Sequence, residues 1–523
     1  MTNMERDVEQ SIDIDLVKDE TIIISTKEAA EQEKKYGIIE SFRRYPMATF
    51  WSLFLGMTII MAGYDGQLVP SFYGVGAFVN KYGSEFEGQM EITAAWQSGL
   101  GMGNPIGQVV GTLAIPWPSE VFGRKKVLFA CLILLSATNF IQFFAPNLPT
   151  LCAGEVLAGL IWGAFISLAP TYVSEISPLP LRGILEAYMN MAFVIGQFVA
   201  AGAIEGFSRR TDKWAYRAPF ALQWLWCVLL LVGMFFIPES PWYLVRRGRH
   251  EDAKRSLERL GWSDVDTVVQ SIDQTDRLEQ EFLIKSSYVD CYRGTNLRRT
   301  EICSMLYVIP MLSGLMMIAY SLYFFELAGM SQNTAVKMTL GNNAIGLFAG
   351  FCSYVAVSLA GRRTIYLTSL FALMILMFVI GGLDCAPTYD ENASFSWAQA
   401  SLLDVYTFIY QMTTGPMTFV VLSEVSATKL RSRTIAVATA SQALISIAVT
   451  IAVPYMFNPE NGNMRGKIGF VFGGLAFLCL TWSYFRLPET KGRTFRELDI
   501  MFERKVATRQ FRSYNIYDYH SSS

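Results

Sequence analysis

The stretch "IIMAGYDGQLV" (residues 59–69) sets an aspartate, Asp65, into an otherwise apolar run, and "AGEVLAG" (153–159) does the same with Glu155. A carboxylate in hydrocarbon is costly, so residues of this kind line a pathway, face a cavity or pair with one another. At that depth a carboxyl group can take up a proton from one side of a membrane and release it to the other. Asp65 and Glu155 would titrate as a pair if they approach each other. A structural role competes for Asp65: beside Gly63 and Gly66, near the end of its apolar run, it can cap or unwind the helix by accepting from backbone N–H groups. Both roles stay open on these residues alone.

The elements that must position such groups are apolar helices. The 523 residues are 52% hydrophobic and 17% charged, too apolar for an ordinary soluble protein of this length. Runs long enough to cross ~30 Å of hydrocarbon as a helix lie at 48–69, 95–115, 127–145, 150–172, 185–206, 218–237, 303–325, 340–359, 364–383, 400–422, 435–456 and 468–487. The expected fold is therefore an all-α membrane protein of twelve transmembrane helices. Its organisation reads as an N-terminal tail (1–46), a six-helix bundle (47–237), a helical linker (238–300), a second six-helix bundle (301–487) and a C-terminal tail (488–523).

The opening 45 residues are polar and mixed in charge, unlike a secretory signal, so the first span itself is expected to direct insertion. With both termini inside, the cytoplasmic segments hold 35 of the 43 Lys and Arg and the outer loops hold the other 8, which sets the expected orientation. The linker contains "HEDAKRSLERL", whose spacing gives a helix with one polar face. The sequon at Asn392–Ser394 falls in an outer loop, where a glycosylation acceptor must lie. A near-balanced charge, 43 basic against 45 acidic residues, gives no support to a nucleic-acid partner. The eight cysteines fall mostly within spans and suggest neither a zinc site nor a disulfide framework.

Short polar motifs recur in one order. "SEISPLPLR" at 174 returns as "SEVSATKLR" at 423 (423 − 174 = 249), "PES" at 238 as "PET" at 488 (488 − 238 = 250), and "GRKK" at 123 as "GRRT" at 361 (361 − 123 = 238). Each follows the second, fourth or sixth helix of its half, so the halves are parallel repeats with a cavity expected between them near the midplane. Glu175 and Arg182 with Glu424 and Arg431, and the basic clusters containing Arg124 and Arg362, can make charge-assisted pairs between helix ends at the cytoplasmic face. Pairs that form only when that face is closed would bias the equilibrium between inward-open and outward-open states, acting as a gate latch.

"PESPWYLVRRGR" (238–249) and "PETKGRT" (488–494) resemble the signatures that follow the sixth and twelfth helices in the sugar porter family of the major facilitator superfamily. Within that family, "GYD", "MNMAFVIGQFVAAG" (189–202), "WAYRAPFALQW" (214–224) and "YSLYFFELAG" (320–329) resemble the fungal α-glucoside (maltose) permeases. The resemblance implies a proton-coupled plasma-membrane importer with a sugar as substrate. It carries sugar contact to Asn190, Tyr320, Gln411, Phe419 and Gln442, with Gln197 a further candidate on the helix of Asn190. Amides offer donors and acceptors to hydroxyls, and aromatic rings offer an apolar face to a sugar. The same amides can instead bridge helices, worth ~0.6 kcal/mol on average.

The chain departs from the family at several places. Pro310 and Met311 stand where sugar porters carry a Gln-Gln pair, and Met316 where they carry Asn. Ala62 and Gln108 stand at two positions that are acidic in the α-glucoside branch, and Glu155 where an arginine is typical. These changes leave a uniporter, or a carrier of a polyol, glycoside or other small polar metabolite, as alternatives, and a non-transporting sugar sensor as another. No Walker-type Gly-Lys-Ser/Thr loop is present, and the two histidines, His250 and His520, lie outside the spans. The expectation is a secondary transporter rather than an enzyme, without cofactor or metal. It would be monomeric in the lipid bilayer and would take a sugar and a proton as its ligands.

Overall fold

The computed structural model describes residues 38–514 apart from 87–88, 286, 360, 388, 390–391, 427–429, 492 and 494. Twelve helical crossings run through it. The first six are Pro46–Phe72, Ala94–Ala114, Arg124–Phe144, Leu148–Ile176, Leu179–Ser208 and Trp214–Phe236. The seventh is broken into Thr295–Leu312, Leu315–Ala319 and Ser321–Leu327, and the eighth and ninth are Gln332–Leu359 and Arg362–Leu383. The tenth joins Ser394–Ile409 to Gly415–Val425 through a wide π-type turn at Tyr410–Thr414, and Arg431–Phe457 and Ile468–Arg486 complete the set.

Eight of these helices are long and apolar enough to cross a membrane on length and composition alone. The second, seventh, eighth and tenth are not among them, and the reason is local. The second carries Asn104 and Gln108 and the eighth Asn342 and Asn343, whereas the π-type turn leaves the tenth in helices of 16 and 11 residues. The seventh is interrupted after Pro310 by Gly314, whose φ of 110° suits glycine. The Tyr406 hydroxyl donates to the Ser313 carbonyl at this break, 2.9 Å away, so the interrupted backbone is partly satisfied within the protein. Continuity through 303–325, expected from hydropathy, therefore gives way to three pieces.

Tight pairs of helices set the positions of the polar groups. The second and fourth spans interlock through glycines: a Cβ on Gly107 would lie 2.1 Å from the Val156 carbonyl oxygen, and one on Gly159 2.2 Å from that of Asn104. Small residues of this kind let helix backbones touch, which brings Asn104 alongside the helix that carries Glu155 and Trp162. The first and fifth spans meet in the same way through Gly63 and Gly196.

The apolar core shows how the two halves sit. At the face opposite the termini, one cluster draws on both halves, including Tyr73, Phe72, Tyr320, Phe324 and Phe457. At the face carrying the termini the halves keep separate clusters, one around Trp51, Trp162 and Leu230 and one around Leu306, Tyr366 and Leu498. Polar contacts between halves follow the shared cluster: Ser98 Oγ donates to the Ile451 carbonyl (3.1 Å) and Asn458 Nδ2 to that of Ile92 (3.0 Å). The face opposite the termini is thus closed by a common core, whereas the bundles pack independently at the other.

Between the halves lie the helices Pro241–Arg246, His250–Leu260 and Val265–Lys285. They bury Leu244, Leu257 and Ile272 in a small core of their own, with Arg246 paired to Asp276 at 2.5 Å. A two-stranded hairpin, Ser84–Phe86 with Gln89–Glu91, sits in the loop after the first span.

Candidate transport site

Asp65 lies inside the first span, which continues to Phe72, and is 1% exposed. Its carboxylate accepts three hydrogen bonds, all from neutral side chains on three other spans. Asn104 Nδ2 and Trp162 Nε1 reach Oδ2 at 2.9 and 2.7 Å, and Gln223 Nε2 reaches Oδ1 at 2.7 Å. The helix-end capping role is therefore corrected: the helix runs on past Asp65, and side chains rather than backbone N–H groups hold the carboxylate. The other role, two approaching carboxyls, keeps its geometric basis. Glu155, 2% exposed, accepts from Gln142 Nε2 at 2.8 Å and packs against Gly103, the neighbour of Asn104. Gln108 Nε2 in turn donates to Asn104 Oδ1 at 2.7 Å, so an amide chain leads from Gln108 to Asp65.

Four of the residues implied for sugar contact are half-buried amides, Asn190, Gln197, Gln411 and Gln442. Asn190, Val194 and Gln197 share one face of the fifth span by their i, i+4, i+7 spacing. Gly346 of the eighth span links that face to the tenth. A Cβ there would lie 3.7 Å from Gln411 Cγ and 4.0 Å from Val194 Cγ1. Asn190, Gln197 and Gln411 are thereby brought to one junction between the halves, with Gln411 in the π-type turn of its helix, a distortion often found where a helix serves a ligand.

The two aromatic candidates and Gln442 sit elsewhere. Tyr320 is buried in the shared cluster, its ring 6.0 Å from that of Tyr73, so it belongs to the closed contact between halves. Phe419 is 48% exposed and packs edge-on against Tyr307, two turns along the tenth span from Gln411. Gln442 lies on the eleventh span, which packs against the second and seventh.

At the face carrying the termini, the repeated motifs form the same arrangement twice. Arg124 holds Glu175 through two nitrogens at 2.9 and 3.2 Å, Glu239 Oε1 accepts the backbone N–H of Arg124 at 3.1 Å, and the Ser240 hydroxyl donates to Glu175. In the second half Arg362 pairs with Glu424 at 3.4 Å, Glu489 Oε1 accepts the N–H of Arg362 at 2.8 Å, and the Thr490 hydroxyl donates to Glu424. Gly123, at φ 97°, is required because a Cβ would fall 2.5 Å from Glu239 Oε2, and Gly361 meets Glu489 in the same manner.

Each of these pairs stays within its own half, at a face where the two bundles pack separately; the gate pairing of Glu175 and Arg182 with Glu424 and Arg431 belongs to the state in which this face is closed. Arg182 lines a cavity of about 370 Å³ beside Glu175 and Arg124. The side chain of Arg431 lies outside the described residues. Burial pushes the Glu239 carboxyl above its ordinary range against the pull of the backbone donors around it. Asn392 is exposed, its side-chain oxygen accepting the N–H of Ser394 at 3.0 Å.

Asn104, Gln142, Trp162 and Gln223 were not singled out from the sequence, although each is a polar or donor-bearing residue within an apolar run and that was the available signal.

Residues 51–502 match the profile of the family described as "Sugar (and other) transporter". A maltose permease of Saccharomyces cerevisiae, MAL31, is 36% identical over 504 residues, covering 93% of this chain and 81% of the permease. A general alpha-glucoside permease of the same species is 34% identical over 499 residues, covering 93% and 80%. Among solved structures, the inward-open conformation of the xylose transporter XylE from E. coli superposes with a TM-score of 0.70 at 20% identity, over 87% of this chain and 99% of that one. Its likeness concerns the fold, twelve helices in two bundles. With the profile spanning most of the chain and relatives above a third identity, this protein belongs to the sugar transporter family.

Proposed function

We propose that the protein imports an α-glucoside, such as maltose, by proton symport across the plasma membrane, alternating between outward-open and inward-open states. The observation that carries the coupling is Asp65: a buried carboxylate held by three neutral donors with no cation paired to it among the described residues, so that protonation and release can accompany the change of access. The α-glucoside follows from the relatives, whose names specify maltose and α-glucosides. With the termini cytoplasmic, as the distribution of basic residues supports, the core shared by both halves closes the outer face. Asn392 then lies outside as a glycosylation acceptor, and the linker helices lie inside.

The test is uptake of labelled maltose in transporter-deficient cells with and without a protonophore, in the parent and in Asp65→Asn. The parent should concentrate sugar only while the proton gradient stands. Asp65→Asn should lose accumulation yet keep counterflow of unlabelled against labelled sugar, which needs no net proton movement. Accumulation by Asp65→Asn equal to the parent's would make Asp65 structural. Orientation is read in the same cells, in a Cys385→Ala background because Cys385 is itself exposed. Ser394→Cys should react with an impermeant thiol reagent and Ser287→Cys should not; the reverse pattern overturns the orientation.

A second reading, facilitative transport of another sugar or polyol, is favoured by Pro310, Met311, Ala62 and Gln108, which stand where the family resemblance implies amides and acids. Uptake that ignores the protonophore selects it.

A further inference from the structure

The tenth span holds a carboxyl group that the site above does not use. Asp404 is half-buried, and Asn342 Nδ2 of the eighth span donates to its Oδ1 at 2.8 Å. Asn342 is itself fully buried and lies against Thr407, its Nδ2 donating to Thr407 Oγ1 at 3.0 Å and its Oδ1 lying 3.2 Å from the same hydroxyl, which also reaches the Leu403 carbonyl at 2.9 Å. The amide is therefore held between Thr407 and Asp404, with its donor on the carboxylate.

The internal repeat relates this pair to the site in the first half. The offset that carries "GRKK" onto "GRRT" (361 − 123 = 238) carries Asn104 onto Asn342, since 342 − 104 = 238. The offset that carries "SEIS" onto "SEVS" (423 − 174 = 249) carries Glu155 onto Asp404, since 404 − 155 = 249. The asparagine of the second span, beside the buried acids of the first and fourth, thus has its counterpart in an asparagine of the eighth span beside an acid of the tenth. A carboxyl at this depth is costly to retain for packing alone.

Its surroundings leave the charge free to change. The seventh, eighth and ninth spans pack against this helix, yet among the described residues the only polar group acting on Asp404 is the Asn342 amide, with no lysine, arginine or second acid. Asp404, Thr407 and Gln411 also share one helix face by their i, i+3, i+7 spacing. The carboxyl therefore stands two turns from the Gln411 amide, on the side that leads to the Gly346 junction.

We propose that Asp404, oriented by Asn342, is a second proton-carrying carboxyl of the transport cycle, placed in the C-terminal half where the repeat places Glu155 in the N-terminal half. The proposal rests on the proton-coupled reading above. In the cycle the proton passes from outer water to the carboxylate and from the carboxyl to inner water, while sugar occupies the adjacent junction.

The experiment measures protons and labelled maltose entering together in proteoliposomes of the full chain. The parent should carry more protons per sugar than Asp404→Asn, which loses one, and Asp404→Glu should restore the parent's ratio. A purely structural Asp404 would change the amount of active protein and leave the ratio alone, and a ratio in Asp404→Asn equal to the parent's overturns the proposal. Should Asp404→Asn fail to reach the membrane, the parent decides. A hydrophobic carbodiimide, which modifies protonated buried carboxyls, should label Asp404 at acid pH and less at alkaline pH by mass spectrometry. Absence of label on Asp404 at every pH, with Asp65 labelled, also overturns it. A parent that moves sugar without protons removes the coupled reading and this proposal together; a coupled parent with an unaffected Asp404→Asn removes this one alone.

Discussion

Trp162 donates its indole N–H to Asp65 Oδ2 over 2.7 Å, tying the fourth span to the first through a carboxylate that water does not reach. An indole can only donate, so this bond keeps Oδ2 as an acceptor and leaves Oδ1 as the oxygen that takes a proton. Gln223 is different. Its Nε2 donates to Asp65 Oδ1 while its own Oε1 is buried without a hydrogen-bond partner. Turning that amide over would present Oε1 to a protonated Asp65 and convert the donor into an acceptor. The pair of residues therefore accommodates both protonation states, Trp162 donating to Oδ2 in each and Gln223 able to serve Oδ1 as donor or acceptor.

Trp162→Phe should accordingly remove a hydrogen bond to a buried charge, worth ~1.5 to 3 kcal/mol, and lower the melting temperature of the purified protein. In an Asp65→Asn background the same change should cost less, because the charge that gave the bond its strength is gone. Groups in direct contact are expected to couple in this way. Strictly additive losses in the double variant would show that the indole contact does not act through the Asp65 carboxylate.

How much of this was legible beforehand depends on the kind of signal. The twelve crossings follow from hydropathy, and the repeat follows from short motifs because glycine, arginine and glutamate are each needed at one place: Gly123 admits Glu239, and Arg124 holds Glu175. Asp65 and Glu155 stood out because a charge in an apolar run is rare. Their partners did not, since Asn104, Trp162 and Gln223 come from three different helices and only tertiary packing brings them together. The break at Gly314 escaped because the run remains apolar across it, and hydropathy reports composition rather than backbone path. Which half each arginine serves was likewise hidden: motif order gives the pairs, but not whether they form within a bundle or across the gap.

The two repeated ion pairs should differ in their importance for stability. Arg124 and Glu175 have side chains 5% and 9% exposed and a two-pronged contact, whereas Arg362 and Glu424 are 17% and 20% exposed and meet at 3.4 Å. Arg124→Ala removes one partner of a well-buried pair, which leaves an uncompensated charge and costs ~3 to 5 kcal/mol. Arg362→Ala should cost less, moving toward the ~1 kcal/mol upper range of exposed pairs. Thermal unfolding of the two variants in detergent checks the order. An equal or larger loss for Arg362→Ala would show that burial of the first pair does not set its contribution.

The junction at Gly346 gives the sharpest test of where sugar binds. Asn190 and Gln411 are half-buried amides, and neither donates to nor accepts from another side chain among the described residues, so their hydrogen-bonding capacity is available to a ligand's hydroxyl groups. Losing one hydrogen bond of this kind costs ~1 to 3 kcal/mol, which corresponds to roughly 5- to 150-fold in apparent affinity. Asn190→Ala and Gln411→Ala should each raise the concentration for half-maximal maltose uptake within that range while the protein still reaches the membrane. Gly346→Val probes the same place by volume. It puts a branched side chain where a Cβ would stand 3.4 Å from Thr407, 3.7 Å from Gln411 and 4.0 Å from Val194, so it should weaken uptake without touching Asp65. Its loss should appear chiefly in the half-saturating concentration. Unchanged half-saturation in all three variants would place the sugar away from this junction, leaving Gln442 and the eleventh span as the surface to examine next.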